Sequence, residues 1–412
     1  MASNGRTSYK WLALALLWVA FFLQQGTRQV FSATLTSIQG SLGVTSAQIG
    51  LVATVFTFAY GLSVPFAGVA ADLLNRKWMV VSGVFVFCLG IFASGFVAAL
   101  GLLIVTYGLL NGFGQSFYYP SATSIVGQLH KETRATALSI LQMGLYAGII
   151  GCSAAAGTLA ESGADGWRTA FRVFGGAGLL WAVALAFLLK DTQPGAAGQE
   201  ARPSGDKPSL KEALAVFVTN PSAVLLAVGL GMMIYVDVGF KTWMPNHLQE
   251  TFGMAKGSAA LNAVLWHYLG AFAGVTLGGR VSDRLAARRP SVRMETNIVG
   301  LACAVPFIVW MAYAPSQVAC CVAMALFGVF RGVYDSNLLA ALMDLVPARY
   351  HASGAGIMLC FGFVFGSTSP VVLGVLKERF SSTVGLASLA AFYLAGAAVI
   401  FMARRRTFRS AA

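Results

Sequence analysis

Five ionisable side chains lie inside long apolar runs of the sequence, where a charge is costly: Arg28, Asp237, Lys241, Arg331 and Asp335. An arginine at bilayer depth costs about 2.5–3.5 kcal/mol on insertion scales, so it survives where it faces a partner or a water-filled cavity. Two acid–base pairs have a spacing of four residues, which puts both members on one helix face. Arg28 has no such neighbour, and its guanidinium can hold a carboxylate through two parallel hydrogen bonds.

This distribution of charge favours anion binding linked to proton transfer. If the two pairs cancel, Arg28 leaves one surplus positive charge, which suits a monoanion and most naturally a carboxylate. A buried carboxylate beside a base that changes partners can carry a proton, so we expect Asp237 or Asp335 to be the coupling group. Protonation of either acid would free Lys241 or Arg331 for the substrate. The alternative is that each pair only neutralises itself inside the protein.

Polar and aromatic residues near these charges complete the predicted binding site. Gln25 lies on the same run as Arg28, and Gln115, Tyr118 and Tyr119 lie together on a later run. Tyr119 is four residues from Gln115 and shares its helix face, while Tyr118 is three residues away. Asn337 follows the second acid–base pair and can bind a hydroxyl group. For each aromatic residue, ordinary helix packing is the alternative.

Residue patterns of other functional classes do not occur in the sequence. The six cysteines have neither metal-ligand nor disulfide-framework spacing, so we expect no metal and no cofactor. There is no phosphate-binding loop and no nucleophile elbow, so an enzyme is not indicated and no catalytic residue is assigned. His267 is a lone histidine between Trp266 and Tyr268, and both a core position and a proton relay remain open for it.

The composition predicts an all-α membrane protein that positions these residues on spanning helices. Of 412 residues, 57% are hydrophobic and 10% are charged, whereas a soluble domain carries about 25% charged residues. The apolar runs are long and unbroken, unlike the short alternating segments of a membrane barrel. Each is long enough for a span of about 20 residues. Twelve spans are predicted, at residues 11–35, 46–71, 78–99, 101–126, 136–160, 168–190, 221–247, 259–283, 295–313, 316–345, 352–376 and 383–403.

The net charge of +13 reflects membrane topology rather than a nucleic-acid partner, because the basic residues lie in short loops between apolar runs. Most of them fall on the side that holds both chain ends. Basic loops face the cytoplasm, so we expect both termini to be cytoplasmic. The sequence contains no asparagine glycosylation acceptor, which agrees with a multi-pass protein of a bacterial inner (plasma) membrane.

The chain divides into two halves around a polar stretch rich in proline and glycine that begins at residue 191. We predict an N-terminal six-helix bundle at 1–190, a cytoplasmic linker at 191–220 that ends in a short helix, and a C-terminal six-helix bundle at 221–412. The halves repeat weakly: Gly68 and Asp72 recur as Gly279 and Asp283. The predicted fold is therefore twelve transmembrane helices in two pseudo-symmetric six-helix bundles.

The stretch from Gly68 to Lys77, GVAADLLNRK, resembles the signature of the major facilitator superfamily between the second and third helices. The stretch KETRATA, which contains Arg134, resembles that family's second cytoplasmic signature. The resemblance covers essentially the whole chain. It implies alternating access by rocking of two bundles, with Asp72, Arg76, Arg134 and Asp283 in a cytoplasmic charge network that latches one conformer. Loop capping is the alternative role for these charges.

Within that superfamily, Arg28 and the stretch NGFGQSFYYP resemble the anion:cation symporters and their organophosphate-exchanging relatives. Members that carry sugar acids often have carboxylates where this chain has Thr27 and Gln115. The resemblance implies a symporter of a small organic anion, a sugar acid or other carboxylate. Because Thr27 and Gln115 are not carboxylates, the prediction of proton coupling depends on Asp237 and Asp335 instead. We expect a monomer whose only partners are substrate, protons and the lipid bilayer. The alternatives are an exporter of an amphiphilic or drug-like compound, an organophosphate exchanger and a transporter-like ligand sensor.

Overall fold

The structure is a computed structural model that describes residues 2–130, 132–163, 165–190, 210–286, 289 and 291–409. Within this part of the chain all regular structure is helical. The α-helices are α1 (Ala2–Leu42), α2 (Ser46–Leu73), α3 (Arg76–Ser94), α4 (Leu100–Leu103), α5 (Gly112–Leu129), α6 (Arg134–Ala160), α7 (Gly166–Leu188), α8 (Leu210–Thr219), α9 (Pro221–Phe252), α10 (Lys256–Ala286), α11 (Val292–Ala312), α12 (Gln317–Asp335), α13 (Leu338–Met343), α14 (His351–Gly366), α15 (Ser369–Arg379) and α16 (Ser382–Arg409). A π-helix, Ile104–Asn111, joins α4 to α5, and a 3₁₀ turn, Ala348–Tyr350, precedes α14.

Eleven helical segments of the described residues are long and apolar enough to cross a membrane, and they coincide with eleven of the twelve predicted spans. The remaining predicted span, 11–35, lies in α1, which is 41 residues long. Polar side chains in the middle of α1, among them Gln24, Gln25 and Arg28, lower its apolar character. The helix that departs most from ordinary membrane composition is therefore the one that carries the unpaired arginine.

Local sequence signals explain where the helices begin and end. Asn220 caps the beginning of α9, because its side chain accepts hydrogen bonds from the backbone N–H groups of Ser222 and Ala223. Pro221 follows at the first helical position, where a missing N–H costs nothing. The same helix ends at Gly253, whose φ of +63° suits glycine. The end of the predicted linker forms α8, while the linker residues before Leu210 lie outside the described residues.

The chain divides into two compact units. The first comprises Met1–Val44, Leu51–Gly205 and Ala255–Leu261. In it α1 packs along α6, and α3 packs against α5 and α7. Fully buried side chains from these helices form one apolar core around Tyr118 and Phe87. Burial of apolar surface between helices and the close approach of small residues hold the bundle together.

The second unit comprises Thr45–Gly50, Asp206–Met254 and Asn262–Ala412. Its packing follows the same plan, since α9 packs along α14 and α16, and α11 packs against α12 and α16. This correspondence matches α1 with α9, α3 with α11, and α7 with α16. The two units are thus built on one helix-packing scheme, as the weak sequence repeat predicts.

Each unit includes a helix start that is held by a carboxylate. In the first unit Glu161 accepts the N–H of Gly257 at 3.0 Å, and Lys256 donates to the Ser37 hydroxyl at 2.8 Å. In the second unit Glu378 accepts the N–H of Ala47 at 2.6 Å. The unpaired N–H groups and the positive end of a helix dipole favour negative charge at such a position.

Glycines bring α10 and α12 of the second unit into backbone contact. A Cβ atom at Gly274 would overlap the carbonyl oxygen of Val329, and one at Gly328 would overlap that of His267. At Gly278 a Cβ atom would lie 2.9 Å from the Cα of Val333. Small residues at such spacing allow two membrane helices to pack at close range. The pair therefore forms a rigid support for the side chains that project from it.

Candidate functional site

Arg28 in the first unit is held by neutral partners. Its Nε donates to the Oε1 of Gln115 at 2.5 Å. The guanidinium carbon lies 4.5 Å from the ring centre of Tyr60 and 5.5 Å from that of Phe56, within the range of cation–π attraction. Among the described residues no carboxylate lies within ion-pair distance of Arg28, and neither Nη group makes a hydrogen bond. The guanidinium is therefore anchored at one edge and open at the other.

Gln115 is a fully buried amide whose orientation is fixed by its partners. Its Nε2 donates to the Oδ1 of Asn111 at 2.9 Å and to the hydroxyl of Thr27 at 3.3 Å. Because Nε2 is the donor, Oε1 must face Arg28 as an acceptor. Gln24 also joins α1 to α5, since its Nε2 donates to the backbone carbonyl of Gln115 at 2.7 Å. The network holds Arg28 in place without neutralising it.

The π-helix Ile104–Asn111 positions this amide network. It ends at Asn111, the residue that accepts from Gln115 one turn later in α5. Gly108 within it and Gly112 directly after it allow close approach to α2. A Cβ atom at Gly108 would lie 2.9 Å from Val55, and one at Gly112 would lie 2.6 Å from the carbonyl of Phe56. Such wider turns occur often at functional sites.

The other predicted residues of the first unit fall in different environments. Gln25 is buried and makes no side-chain hydrogen bond to another described residue. Tyr119 is 44% exposed and packs on Phe21. Tyr118 is fully buried in the apolar core and donates its hydroxyl to the carbonyl of Leu17, so it has no surface to offer a substrate. Tyr118 is therefore a core residue, whereas Tyr119 has exposed surface that can contact a substrate.

The four predicted charges of the second unit form one connected network. Lys241 lies 2.8 Å from Oδ2 of Asp237, as the spacing predicts. The Nη2 of Arg331 lies 3.5 Å from Asp335 on its own helix and 3.2 Å from Oδ1 of Asp237 on α9. Asp237 thus bridges two pairs that the sequence suggests as separate. Two bases and two acids neutralise one another within this network.

His267 and Asn337 stand beside these charges in different roles. The Nε2 of His267 lies 3.4 Å from Nη1 of Arg331, and the imidazole is fully buried. Asn337 accepts from Ser282 at 2.5 Å through Oδ1 and donates to Ser336 at 2.8 Å through Nδ2. Both of its amide atoms are thus used, and the bond from Ser282 joins α10 to the end of α12. Sequence spacing does not predict the contact of His267 with Arg331, because these two residues are 64 positions apart.

Three of the residues predicted as a latch, Arg76, Arg134 and Asp283, have described surroundings of their own. Arg76 is 5% exposed and has interactions with its surroundings. The Arg134 side chain lies over Gly127. A Cβ atom at Gly127 would be 3.2 Å from the Nε of Arg134. Asp283 lines a cavity of about 540 Å³ together with Arg293 and Asp344, which pair at 2.8 Å. The side chain of Asp72 lies outside the described residues.

Sequence spacing does not predict the aromatic rings beside Arg28, the two hydrogen-bond acceptors of Gln115, or the histidine beside Arg331. These residues are Phe56, Tyr60, Asn111, Thr27 and His267. A polar residue inside an apolar run is a signal for Asn111 and Thr27, but aromatic residues are common in such runs. Among the described residues no group of three histidine, cysteine or acidic side chains could hold a metal ion.

Comparison with known proteins gives the family and its relatives. The sequence model of the Major Facilitator Superfamily matches residues 17–370. A probable sulfoacetate transporter of Cupriavidus necator is 27% identical over 390 residues, which cover 92% of this chain and 89% of the relative. A probable galactarate/D-glucarate transporter of Bacillus subtilis is 25% identical over 414 residues, which cover 92% and 88%. Protein spinster homolog 1 of Mus musculus is 27% identical over 376 residues, which cover 85% and 70%.

Solved structures agree with this at the level of the fold. A bacterial homolog of the human lysosomal transporter Spinster superimposes with a TM-score of 0.85 at 20% identity, covering 96% of this chain and 97% of that one. The nucleoside transporter NupG (D323A mutant) superimposes with a TM-score of 0.72 at 15% identity, covering 95% and 99%. At these identities the likeness concerns the arrangement of helices and says nothing of the ligand.

Proposed function

The chain belongs to the major facilitator superfamily and is a transporter with its twelve-helix, two-bundle fold, and we propose that it moves a small organic anion by alternating access. The substrate in this proposal is a sugar acid or another carboxylate, and transport is coupled to protons. The protein would act as a monomer in a bacterial inner membrane, with both termini in the cytoplasm. Asp72, Arg76, Arg134 and Asp283 would favour one conformer through their charges.

The open edge of Arg28 is the observation that carries the proposal. A planar guanidinium fixed at Nε by Gln115 and flanked by aromatic rings presents both Nη groups in one plane. This is the geometry that a carboxylate accepts through two parallel hydrogen bonds. Because no described acid neutralises Arg28, the substrate is the counter-charge that the site lacks. Gln25 and Tyr119 provide nearby polar and aromatic contacts.

Names of relatives support an anionic substrate. Sulfoacetate, galactarate and D-glucarate, which appear in the names of two relatives, all carry at least one carboxylate. Both relatives align with about nine-tenths of this chain, so the similarity includes both halves. At identities of 27% and 25% the relatives do not identify the particular anion, which the binding experiment described below is designed to find.

The geometry favours Asp335 over Asp237 as the proton-coupling group. Asp237 has two cationic partners, at 2.8 and 3.2 Å, and its side chain is 15% exposed. Asp335 has one, at 3.5 Å, and is 30% exposed. Protonation of Asp335 therefore breaks one long contact at a position that water can reach, whereas protonation of Asp237 breaks two short ones. With Asp335 neutral, the network gains one positive charge, which Arg331 and Lys241 can offer to the substrate.

Ligand-induced thermal stabilisation tests the anion site. A compound that binds the native state raises its melting temperature by mass action. We expect one class among aldonates, uronates, other carboxylates, sulfonates and sugar phosphates to stabilise the wild type but not Arg28→Gln. Arg28→Lys keeps the charge without the planar fork and should bind more weakly than wild type. Arg289→Gln, a surface arginine that is 64% exposed, serves as the matched control.

Equal stabilisation of wild type and Arg28→Gln would contradict the anion site, as would a response only to neutral or amphiphilic compounds. The second outcome would favour an exporter of amphiphiles.

Transport in proteoliposomes tests the coupling group. In Asp335→Asn we expect accumulation driven by a pH gradient to be lost, while exchange of labelled for unlabelled substrate continues. Exchange needs no net proton movement, so it separates coupling from binding. If pH-driven accumulation is intact in both Asp335→Asn and Asp237→Asn, the proposal that this network couples transport to protons is refuted.

A further inference from the structure

We infer that His267 is a positioning residue that holds the Arg331 guanidinium between Asp237 and Asp335 and thereby sets how readily Asp335 takes up a proton. The inference rests on the proposed coupling role of Asp335 and names a residue that acts on it through Arg331. His267 makes no hydrogen bond to either carboxylate, and its hydrogen-bond contact with the network is Arg331.

The imidazole of His267 is fully enclosed on α10. Its ring centre lies 5.0 Å from that of Phe240 and 4.8 Å from that of Phe327. Its backbone is fixed as well, because the His267 carbonyl lies directly against Gly328 of α12. Arg331 stands three residues after that glycine, so the two helix backbones determine the approach of imidazole and guanidinium.

Hydrogen-bond chemistry determines which atom donates in this contact. A guanidinium has only donors, so the Nε2 of His267 must accept from Nη1 of Arg331. The imidazole is then neutral, with its proton on Nδ1. A proton added at Nε2 would face the N–H group of Arg331 Nη1, and the imidazolium would lie beside two cations, Arg331 and Lys241. The charged and titratable groups that face the imidazole are Arg331 of α12, Asp237 and Lys241 of α9, and Tyr268 of its own helix, while Tyr393 of α16 faces Arg331.

This contact divides the guanidinium between its partners. Nη1 is directed to His267, and Nη2 alone is shared by Asp237 at 3.2 Å and Asp335 at 3.5 Å. Without an acceptor at position 267, Nη1 is free to turn towards the carboxylates. A closer cation favours the charged form of Asp335, so a higher proton concentration is then needed to protonate it. Loss of the acceptor should therefore move the protonation of Asp335 to lower pH.

The experiment is an infrared titration of the carboxyl C=O stretching band in membranes without substrate. The band of Asp335 is identified as the one that Asp335→Asn removes. Three variants are compared: His267→Met, which lacks a strong acceptor; His267→Asn, whose amide is too short to reach Arg331; and His267→Gln, whose amide oxygen reaches the position of Nε2. Leu269→Ala, an apolar position of α10 that is 52% exposed, controls for a general change in packing.

We expect the pH midpoint of the band to fall by about one pH unit in His267→Met and His267→Asn, which is a tenfold change in the proton affinity of Asp335. His267→Gln and Leu269→Ala should keep the wild-type midpoint. A variant that fails to fold leaves the remaining two to decide. The inference is overturned if the folded acceptor-free variants titrate like wild type, or if His267→Gln shifts as far as they do.

The outcomes separate this inference from the proposed function. Because the titration needs no substrate, a shifted midpoint in a protein that transports no anion refutes the transport proposal alone. An unshifted midpoint in a protein that accumulates an anion with protons refutes the positioning role alone. If Asp335→Asn removes no band, the coupling role of Asp335 and the role of His267 both fail.

Discussion

The two units share a helix-packing scheme but treat buried charge in opposite ways. In the first unit Arg28 is held by the amide of Gln115 and by aromatic rings, and both of its Nη groups stay open. In the second unit Arg331 and Lys241 are compensated by Asp237 and Asp335. An amide can position a guanidinium without lowering its charge, whereas a carboxylate positions and neutralises it.

In the proposed function this difference divides the work of transport between the two units. A site that binds an anion needs uncompensated positive charge, and the first unit supplies it. A site that carries a proton needs a carboxylate whose charge is balanced in one state and removed in the other, and the second unit has two candidates. One fold can therefore hold a binding half and a coupling half that differ in a few polar side chains.

The largest expected effect is on stability, at the centre of the compensated network. Asp237→Asn leaves Lys241 and Arg331 without their shared partner. Removing one member of a buried ion pair costs about 3–5 kcal/mol, so we expect a marked fall in the melting temperature measured in detergent. Asp335→Asn, which loses one contact at 3.5 Å, is the matched control and should melt close to wild type. Equal melting of the two variants would contradict the central position of Asp237.

A change in the first unit would make it resemble the second. Gln115→Glu places a carboxylate beside Arg28 and neutralises the charge of its guanidinium. At neutral pH we expect the identified anion to bind more weakly by about 1.5–3 kcal/mol, or about 10- to 150-fold in Kd, since the substrate competes with a built-in partner. Binding is measured by calorimetry. Gln115→Met, which removes the anchor without adding charge, should weaken binding less, and the reverse order would refute the argument.

The support beneath the network can be loosened without touching a charge. Gly274→Ala forces α10 away from the Val329 carbonyl, and overpacking of this kind costs about 1–3 kcal/mol. Gly279→Ala is matched in chemistry and lies five residues later, where a Cβ atom would meet only Ser336 at 3.9 Å. We expect a lower melting temperature for Gly274→Ala alone. If both variants melt alike, backbone contact does not set the packing of this pair.

The smallest expected effect concerns the aromatic flank of Arg28. Tyr60→Leu removes a ring 4.5 Å from the guanidinium, a contact worth about 0.5–1 kcal/mol, so anion binding should weaken by about two- to fivefold. Tyr60→Phe keeps the ring and should bind like wild type. A loss in Tyr60→Phe as large as in Tyr60→Leu would show that the hydroxyl matters rather than the ring.

Much of the fold was accessible from the sequence because membrane spans depend on composition and length. Eleven predicted spans coincide with long apolar helices, and the family is confirmed by the match over residues 17–370. The contacts of Lys241 with Asp237 and of Arg331 with Asp335 were also predictable, since a spacing of four residues places side chains on one helix face. Contacts within one helix can be predicted in this way because the helix geometry fixes which side chains are neighbours.

Contacts between helices were not accessible in the same way. The bridge from Asp237 to Arg331 and the approach of His267 depend on how α9, α10 and α12 pack, which periodicity does not encode. Tyr118 shows the same limit: its spacing from Gln115 places it near the site, but helix rotation turns it into the apolar core. The roles of the site residues in transport remain predictions for the experiments above.

The π-helix at Ile104–Asn111 also has a consequence for how this protein tolerates insertion and deletion. A π-helix can be viewed as an α-helix with one extra residue, so deleting a residue such as Leu109 would restore ordinary winding. Because the wide turn takes up the extra residue, side chains after the deletion would keep nearly the same direction relative to the start of the helix. Gln115 would therefore stay beside Arg28, whereas a deletion in the regular winding of α5 before Gln115 would rotate that side chain by about 100°. The π-helix is thus the segment of this span in which a change of length disturbs the amide network least.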